Sequence, residues 1–294
     1  MPRATVSPQL HLEYDVRGEG EPMLLIMGIG AQMIFFTDDF CDALAARGFQ
    51  VARFDNRDVG RSTWLDGAPT RAPGALIARR AMGLPVPAAY TLSDMARDTA
   101  GLLDHLGWEA AHVVGVSMGG MIAQHLAIEH PTRLRSLTSV MSTTGAVGAS
   151  LPRPAALKAL LQPRPMDEEG AGEALLRVQQ ALEGPLHPVA PERVRAVGRA
   201  AFRRGANPAG FVRQLSAVLA SGDRTPRLRQ LRVPTLVLHG EADPLVPLAG
   251  GRATAAAIPG ARLRTVPGWG HGLPESVWPI LIDEISAHAR AAAG

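Results

Sequence analysis

The chain repeats a simple pattern of hydrophobic and polar positions. Short runs rich in Val, Ile and Leu recur, and each is followed by a turn and then by a longer segment with the spacing of an amphipathic helix. This pattern predicts an α/β protein in which a mostly parallel central sheet is covered by helices on both faces. The predicted strands comprise residues 10–16, 23–27, 51–55, 112–116, 137–141, 235–239 and 263–266.

Helical segments lie between these strands, and glycines mark the ends of two of them. Residues 40–47 are predicted to form a helix that stops at Gly48, and residues 93–106 one that ends at Gly107. Glycine adopts the left-handed conformation that ends many helices, so both assignments have a physical basis.

Strand signals are absent between residues 144 and 230. The stretch contains prolines, charged clusters and helical segments at 173–182, 192–203 and 210–220. Its leucines and valines recur at helical spacing and need a surface to cover. We therefore expect a helical cap at 144–230, inserted between a first core part at 1–143 and a second at 231–294, that forms a lid over an active site. A purely structural layer of helices is the alternative.

The segment from Gly115 to Gly119 has the pattern Gly-x-Ser-x-Gly, at the end of a predicted strand and just before an apolar helix at 121–128. A serine on a sharp strand-to-helix turn presents its hydroxyl to a substrate, and the flanking glycines leave room for the backbone to bend. The amino-terminal end of the helix adds positive potential where an oxyanion would form. The pattern predicts Ser117 as a nucleophile.

Two segments are similar to sequences of a known family: FDNRDVGRST at residues 54–63 and HVVGVSMGG at residues 112–120. On these segments the chain resembles the α/β-hydrolase superfamily, and more narrowly the esterases similar to aclacinomycin methylesterase, over nearly its whole length outside the cap. The resemblance implies the α/β-hydrolase fold and a catalytic triad in the order nucleophile, acid, base. It also implies that the acid follows a late strand and that the base lies in a loop after the last strand.

The implied acid falls in the turn after the strand at 235–239. The chain there reads GEADPLVP, and the D-P-x-V-P pattern of the family matches Asp243 rather than its neighbour Glu241. Open α/β sheets place functional groups at such carboxyl ends of strands. Some relatives carry the acid after the preceding core strand, but residues 141–144 contain no carboxylate. We expect Asp243 to be the acid.

The implied base follows the strand at 263–266. His271 lies between two glycines, which allow the loop to bring the imidazole over the serine. In the expected chemistry, His271 removes the proton of Ser117 and returns one to the leaving group, while Asp243 fixes the tautomer and stabilises the imidazolium. Six other histidines are interpreted as structural, at positions 105, 112, 125, 130, 239 and 288. His187 lies in the cap, where it could touch a substrate, but a solvated loop histidine is the preferred interpretation.

An oxyanion hole is expected from two backbone amides. Gly28-Ile29-Gly30 follows the strand at 23–27, where relatives commonly have His-Gly-x-Gly, and Met27 replaces the histidine. Because backbone N–H groups form the hole, this replacement leaves it intact. The expected donors are the amides of Ile29 and Met118.

No cofactor or metal is expected. The glycine run after residue 27 lacks the third glycine of a dinucleotide fingerprint, since Met33 occupies that position, and the chain's only lysine, Lys158, lies in the cap, so there is no Walker lysine. The segment from Asp55 to Ser62 resembles the D-x-R-G-x-G-x-S turn of the superfamily, with Asp58 in place of a glycine. We interpret this turn as structural.

Charge and composition narrow the partners. The 30 basic and 27 acidic residues leave a formal charge of only +3, which argues against a nucleic-acid partner. A single cysteine excludes an intramolecular disulfide. The amino terminus lacks the features of a secretory signal, and no apolar run approaches the roughly 20 residues of a membrane span, so a cytoplasmic protein without a membrane partner is expected. Monomer and homo-oligomer both remain open.

The sequence therefore predicts a serine hydrolase that cleaves a small-molecule carboxylic ester through an acyl-enzyme. Amide or N-terminal prolyl cleavage, C–C bond hydrolysis and perhydrolysis use the same three residues and remain alternatives. A peptidase would need acidic cap residues for a substrate amine, and Glu168, Glu169 and Glu173 keep that alternative open. A ligand-binding protein that keeps the fold without turnover is a further alternative.

Overall fold

The structure, a computed structural model, describes residues 1–148, 151–163 and 165–293. In chain order the strands are β1 (Arg3–Ser7), β2 (Leu10–Arg17), β3 (Glu21–Ile26), β4 (Phe49–Phe54), β5 (Ala111–Val116), β6 (Leu134–Val140), β7 (Thr235–Gly240) and β8 (Arg262–Val266). They form one sheet with the spatial order β1-β2-β4-β3-β5-β6-β7-β8. β3 to β8 run parallel to one another, whereas β2 pairs antiparallel with both of its neighbours, β1 and β4.

Helices connect the strands. In chain order they are α1 (Asp38–Ala45), α2 (Pro73–Ala81), α3 (Leu92–His105), α4 (Met118–Glu129), α5 (Pro154–Leu160), α6 (Glu168–Leu182), α7 (Pro191–Arg204), α8 (Pro208–Ala220), α9 (Thr225–Leu228), α10 (Leu248–Ala257) and α11 (Trp278–Ala293). α3 begins with a capping box, in which the side chains of Thr91 and Asp94 each accept a hydrogen bond from the other residue's backbone N–H.

The sheet separates two apolar clusters. In β3, Leu24 and Ile26 pack with α3 and α4 on one face, and Met23 and Leu25 pack with α1 and α11 on the other. All four side chains are fully buried. Burial on both faces explains why the run is continuously apolar instead of alternating with polar residues.

α5 to α9, referred to below as the inserted helices, lie between β6 and β7 within the range predicted as a cap. Residues 149, 150 and 164 of that range, and residue 294 of the predicted second core part, lie outside the described residues. α5, α6 and α7 pack on one another and enclose the cavity described below, whereas α8 packs on α2, and α9 packs on α10 and α4.

The predicted fold class is confirmed, and each predicted strand is present with bounds within three residues of the expectation. The pattern missed β1. This strand has five residues at the sheet edge and only Ala4 is buried, so its sequence has almost no apolar signal. Helices α2, α5, α9, α10 and α11 were not predicted individually.

Candidate active site

Ser117 lies in the turn between β5 and α4 and has an unusual backbone conformation, with φ 56° and ψ −119°. A Cβ atom built on Gly119 would lie 2.0 Å from the Ile26 carbonyl oxygen, and one on Gly115 would lie 2.3 Å from the Gly119 carbonyl oxygen. Both glycines are therefore required for the close approach of β3, β5 and α4. The serine is held by its own N–H, which donates to the Val140 carbonyl at 2.9 Å.

Ser117, His271 and Asp243 are brought together by a continuous series of hydrogen bonds. His271 Nε2 lies 3.0 Å from Ser117 Oγ, and His271 Nδ1 lies 2.7 Å from Asp243 Oδ2. All three residues are buried. With the proton on Nδ1 facing the carboxylate, Nε2 is left to accept the proton of the serine hydroxyl.

Asp243 is held by backbone groups of its own turn. Its Oδ1 accepts hydrogen bonds from the N–H groups of Leu245 at 2.9 Å and Val246 at 2.8 Å. The sequence competitor, Glu241, points elsewhere and accepts a hydrogen bond from Thr265 Oγ1 at 2.8 Å on the exposed surface. Of the two carboxylates in this turn, only Asp243 contacts His271.

His239, interpreted from the sequence as structural, is a second histidine beside the same carboxylate. Its Nε2 lies 3.6 Å from Asp243 Oδ2 and donates to the Val246 carbonyl at 2.7 Å. Burial lowers the pKa of His239 below its ordinary value. His239 lies at the end of β7 and four residues before Asp243, and this spacing is the sequence signal for its position beside the carboxylate.

The predicted oxyanion turn lies against the serine. A Cβ atom built on Gly28 would lie 3.2 Å from Ser117 Cβ, and the Ala31 N–H donates to the Gly28 carbonyl at 3.3 Å to close the turn. Because a peptide unit is planar and trans, the Ile29 N–H points opposite to that carbonyl and out of the turn. Met118, the other predicted donor, is the first residue of α4.

A cavity of about 180 Å³ opens above Ser117 and His271, between the core and the inserted helices. Its wall is mostly apolar, with side chains from the inserted helices that include Leu160, Leu175, Val178, Leu182, Val194 and Val197. Besides His271, its ionisable lining residues are Arg193 and Glu275, which form an ion pair with each other. Gln179 also lines it, and a Cβ atom built on Gly272 would lie 2.8 Å from its amide oxygen.

The turn from Asp55 to Ser62 is linked to the inserted helices by buried ion pairs that the sequence did not predict. Arg213 of α8 donates to both oxygens of Asp58, at 2.8 and 2.7 Å. Arg204 of α7 donates to Asp55 Oδ2 at 2.6 Å. Asp58 has φ +69°, a conformation that favours glycine, and its carboxylate is what binds Arg213. The sequence did contain one signal for this ion pair, because Asp58 replaces the glycine that the superfamily has in this turn.

The part of the chain that the structure describes has neither a cluster of side chains suited to a metal ion nor a membrane-spanning helix. No group of three His, Cys, Asp or Glu side chains in it is placed to hold a metal ion. None of its helices combines the length and the apolar character needed to cross a bilayer.

Comparison with known proteins identifies the family. Residues 21–275 match the family described as alpha/beta hydrolase fold, and the chain belongs to it. Rhodomycin D methylesterase DnrP of Streptomyces peucetius is 32% identical over 92% of this chain and 91% of that protein. The poly(3-hydroxyalkanoate) depolymerase of Ectopseudomonas oleovorans is 31% identical over 83% of this chain and 76% of that protein.

Solved structures agree with this assignment. A thermophilic esterase from Thermogutta terrifontis superposes with a TM-score of 0.69 at 25% identity, covering 98% of this chain and 100% of that one. The family resemblance inferred from residues 54–63 and 112–120 is thereby confirmed.

Proposed function

We propose that this protein is a carboxylic ester hydrolase that works through an acyl-enzyme on Ser117, with His271 as the base and Asp243 as the acid. The observation that carries the proposal is the buried hydrogen-bond series from Ser117 through His271 to Asp243 at the floor of a cavity. Similarity to a methylesterase and a polyester depolymerase supports ester bonds as the target.

In the proposed cycle, His271 accepts the proton of Ser117 as the serine attacks the ester carbonyl, and then donates it to the departing alcohol. Asp243 holds the imidazole in the required tautomer and stabilises the imidazolium. The N–H groups of Ile29 and Met118 stabilise the oxyanion of the tetrahedral intermediate. A water molecule then gives a proton to His271 and attacks the carbonyl of the acyl-enzyme. The carboxylic acid leaves, and Ser117 regains its proton from His271.

We further propose that residues 144–230 are a cap domain between core parts 1–143 and 231–294, and that the cap selects the substrate. The pairing of Arg193 with Glu275 leaves no uncompensated charge on the described cavity wall, which favours a neutral small-molecule ester. Gln179 lines the same cavity, where its amide can form a hydrogen bond with a polar group of the substrate.

The peptidase alternative has less support. The three cap glutamates that it would use, Glu168, Glu169 and Glu173, each form an ion pair with an arginine of α7. None of the three lines the cavity above Ser117. A substrate amine would therefore find no free carboxylate among them.

The test is steady-state hydrolysis of p-nitrophenyl esters of increasing acyl length, with Ser117→Ala beside the parent protein. The expected loss in kcat is about 10⁶-fold, as for removal of a triad nucleophile elsewhere. Ser139→Ala is the matched control, because this buried serine lies on β6 and its hydroxyl has no hydrogen-bond partner among the described residues. Retention of most activity in Ser117→Ala, or no turnover of any ester by the parent, would refute the proposal.

A further inference from the structure

A glutamine of the inserted helices reaches the turn that carries the proposed Ile29 donor. Gln214 of α8 is fully buried. Its Oε1 accepts a hydrogen bond from the Gly30 N–H at 2.7 Å, and its Nε2 donates to the Arg57 carbonyl at 2.8 Å. One planar amide thus joins two core loops that follow neighbouring strands, β3 and β4.

The hydrogen bond from the Gly30 N–H to Gln214 acts at a residue of the turn that has wide conformational freedom. Gly30 has φ +63°, and a glycine there gives the turn wide conformational freedom. Because the Gly30 N–H is already used by Gln214, it is not free to bind an oxyanion. The free donor of the turn is then the Ile29 N–H, one peptide unit earlier.

The same segment is held at its other end by α7. Gln32 Nε2 donates to the carbonyls of Ala201 at 2.8 Å and Gly205 at 2.9 Å. Arg204 Nε donates to Gln32 Oε1 at 2.8 Å. Residues 30–32 are therefore fixed by side-chain hydrogen bonds to the inserted helices at both ends.

We propose that Gln214 is a positioning residue for the oxyanion hole: it locks the Gly28–Ala31 turn so that the Ile29 N–H is in place before the substrate carbonyl becomes charged. Preorganised donors act without a reorganisation cost at the moment of reaction, so loss of the lock affects the transition state more than the bound substrate. The inference rests on the proposed function, and it makes the inserted helices part of the catalytic apparatus.

The test compares Gln214→Met, which keeps the chain length but removes both hydrogen bonds, with Asn207→Ala. Asn207 Nδ2 donates to the Asp58 carbonyl at 3.2 Å, and its Oδ1 caps α8 by accepting from the Gly210 N–H at 2.9 Å. Its loss therefore loosens α8 and the attachment of that helix while leaving both hydrogen-bonding groups of Gln214 in place. For Gln214→Met we expect kcat to fall about 10- to 100-fold, below the loss of a complete donor, with KM within about twofold. A boronic acid, which forms a tetrahedral adduct on Ser117, should lose affinity by a similar factor.

An Asn207→Ala variant that loses kcat and boronic acid affinity equally would overturn the proposal, because the effect would then be general loosening. A folded Gln214→Met variant with unchanged kcat would also overturn it. Amide hydrogen exchange in the parent needs no variant, and it should be as slow at Gly30 as in β3. Fast exchange there would overturn the lock even if the protein hydrolysed no ester, so this result is separate from failure of the proposed function.

Discussion

The inserted helices contact the core on both sides of Ser117, but by different kinds of bond. On the side of His271, called the base side below, the buried contact is between backbones: the His271 N–H donates to the Leu182 carbonyl at 2.7 Å, and a Cβ atom on Gly270 would lie 2.2 Å from that same oxygen. The side-chain contacts on this side, such as the Arg193–Glu275 ion pair, are partly exposed. On the side of the Gly28–Ala31 turn, called the oxyanion side below, side chains make the contact, namely the buried Gln214 and Arg213 of α8 and the largely buried Arg204 of α7.

The difference indicates how the two sides are stabilised. Asp243 finds its partners within the core, so the carboxylate beside His271 needs no cation from the inserted helices, and the Arg193–Glu275 ion pair on this side is partly exposed. Asp58, in contrast, is fully buried and relies on Arg213 across the interface. A buried carboxylate that loses its cation is strongly destabilising, so the oxyanion side is where the inserted helices are anchored.

The largest effect should come from breaking the base side at Asp243. In Asp243→Asn, the amide oxygen still accepts from the Leu245 and Val246 N–H groups, so the fold is kept, but the amide nitrogen now faces His271. The histidine then carries its proton on Nε2 and cannot accept the serine proton. We expect kcat to fall about 10⁴-fold with little change in the thermal unfolding temperature.

Glu241→Gln is the control for this prediction. It alters a carboxylate of the same turn that bonds only Thr265, and kcat should be unchanged. Similar losses in the two variants would show that the turn as a whole, not the carboxylate beside His271, supports catalysis.

The second largest effect is expected on the oxyanion side, where loss of Arg213 should lower the free energy of unfolding. Arg213→Met leaves the Asp58 carboxylate without a cation, with hydrogen bonds only from uncharged groups, namely the Tyr90 hydroxyl, the Leu65 N–H and, at 3.5 Å, the Asn207 amide. The free energy of unfolding should fall by about 3–5 kcal/mol, as measured by denaturant titration. Arg193→Met removes half-exposed ion pairs at the cavity mouth and should cost less than about 1 kcal/mol.

A double variant sharpens this prediction. Asp58→Gly removes the buried carboxylate and places glycine at φ +69°, where it carries no steric cost. Combined with Arg213→Met, it should recover a large part of the lost stability, which a double-mutant cycle measures. If the double variant is no more stable than Arg213→Met alone, the charge of Asp58 is not what the arginine compensates.

The two sides also differ in how far the sequence predicted them. Gly-x-Ser-x-Gly, D-P-x-V-P and the glycines around His271 are local patterns, because each marks a turn that must bend in one way. Gln214 and Arg213 sit in a stretch without strand signals, and their partners Gly30 and Asp58 are 184 and 155 residues away. No local spacing encodes such a contact. The buried anchors could therefore be found only once the inserted helices were placed on the core.

The smallest effect is expected from His239 on the side of His271, and it is a change in how the free energy of unfolding depends on pH. The pKa of His239 is lowered in the folded protein by burial, so folding disfavours its protonated form. Its stabilising contribution is complete above the ordinary value of 6.5 and is lost as pH falls from there through the lower folded pKa. The groups that face it are Asp243 at 3.6 Å, the Val246 carbonyl and His271.

Accordingly, the free energy of unfolding of the parent should decline as the pH falls below 6.5, and His239→Gln, whose amide can still donate to the Val246 carbonyl, should show a weaker decline. His112, His125 and His288 also have pKa values lowered by burial and contribute equally in both proteins, so the difference between the two curves isolates His239. Parallel curves would mean that the histidine beside Asp243 does not titrate in this range.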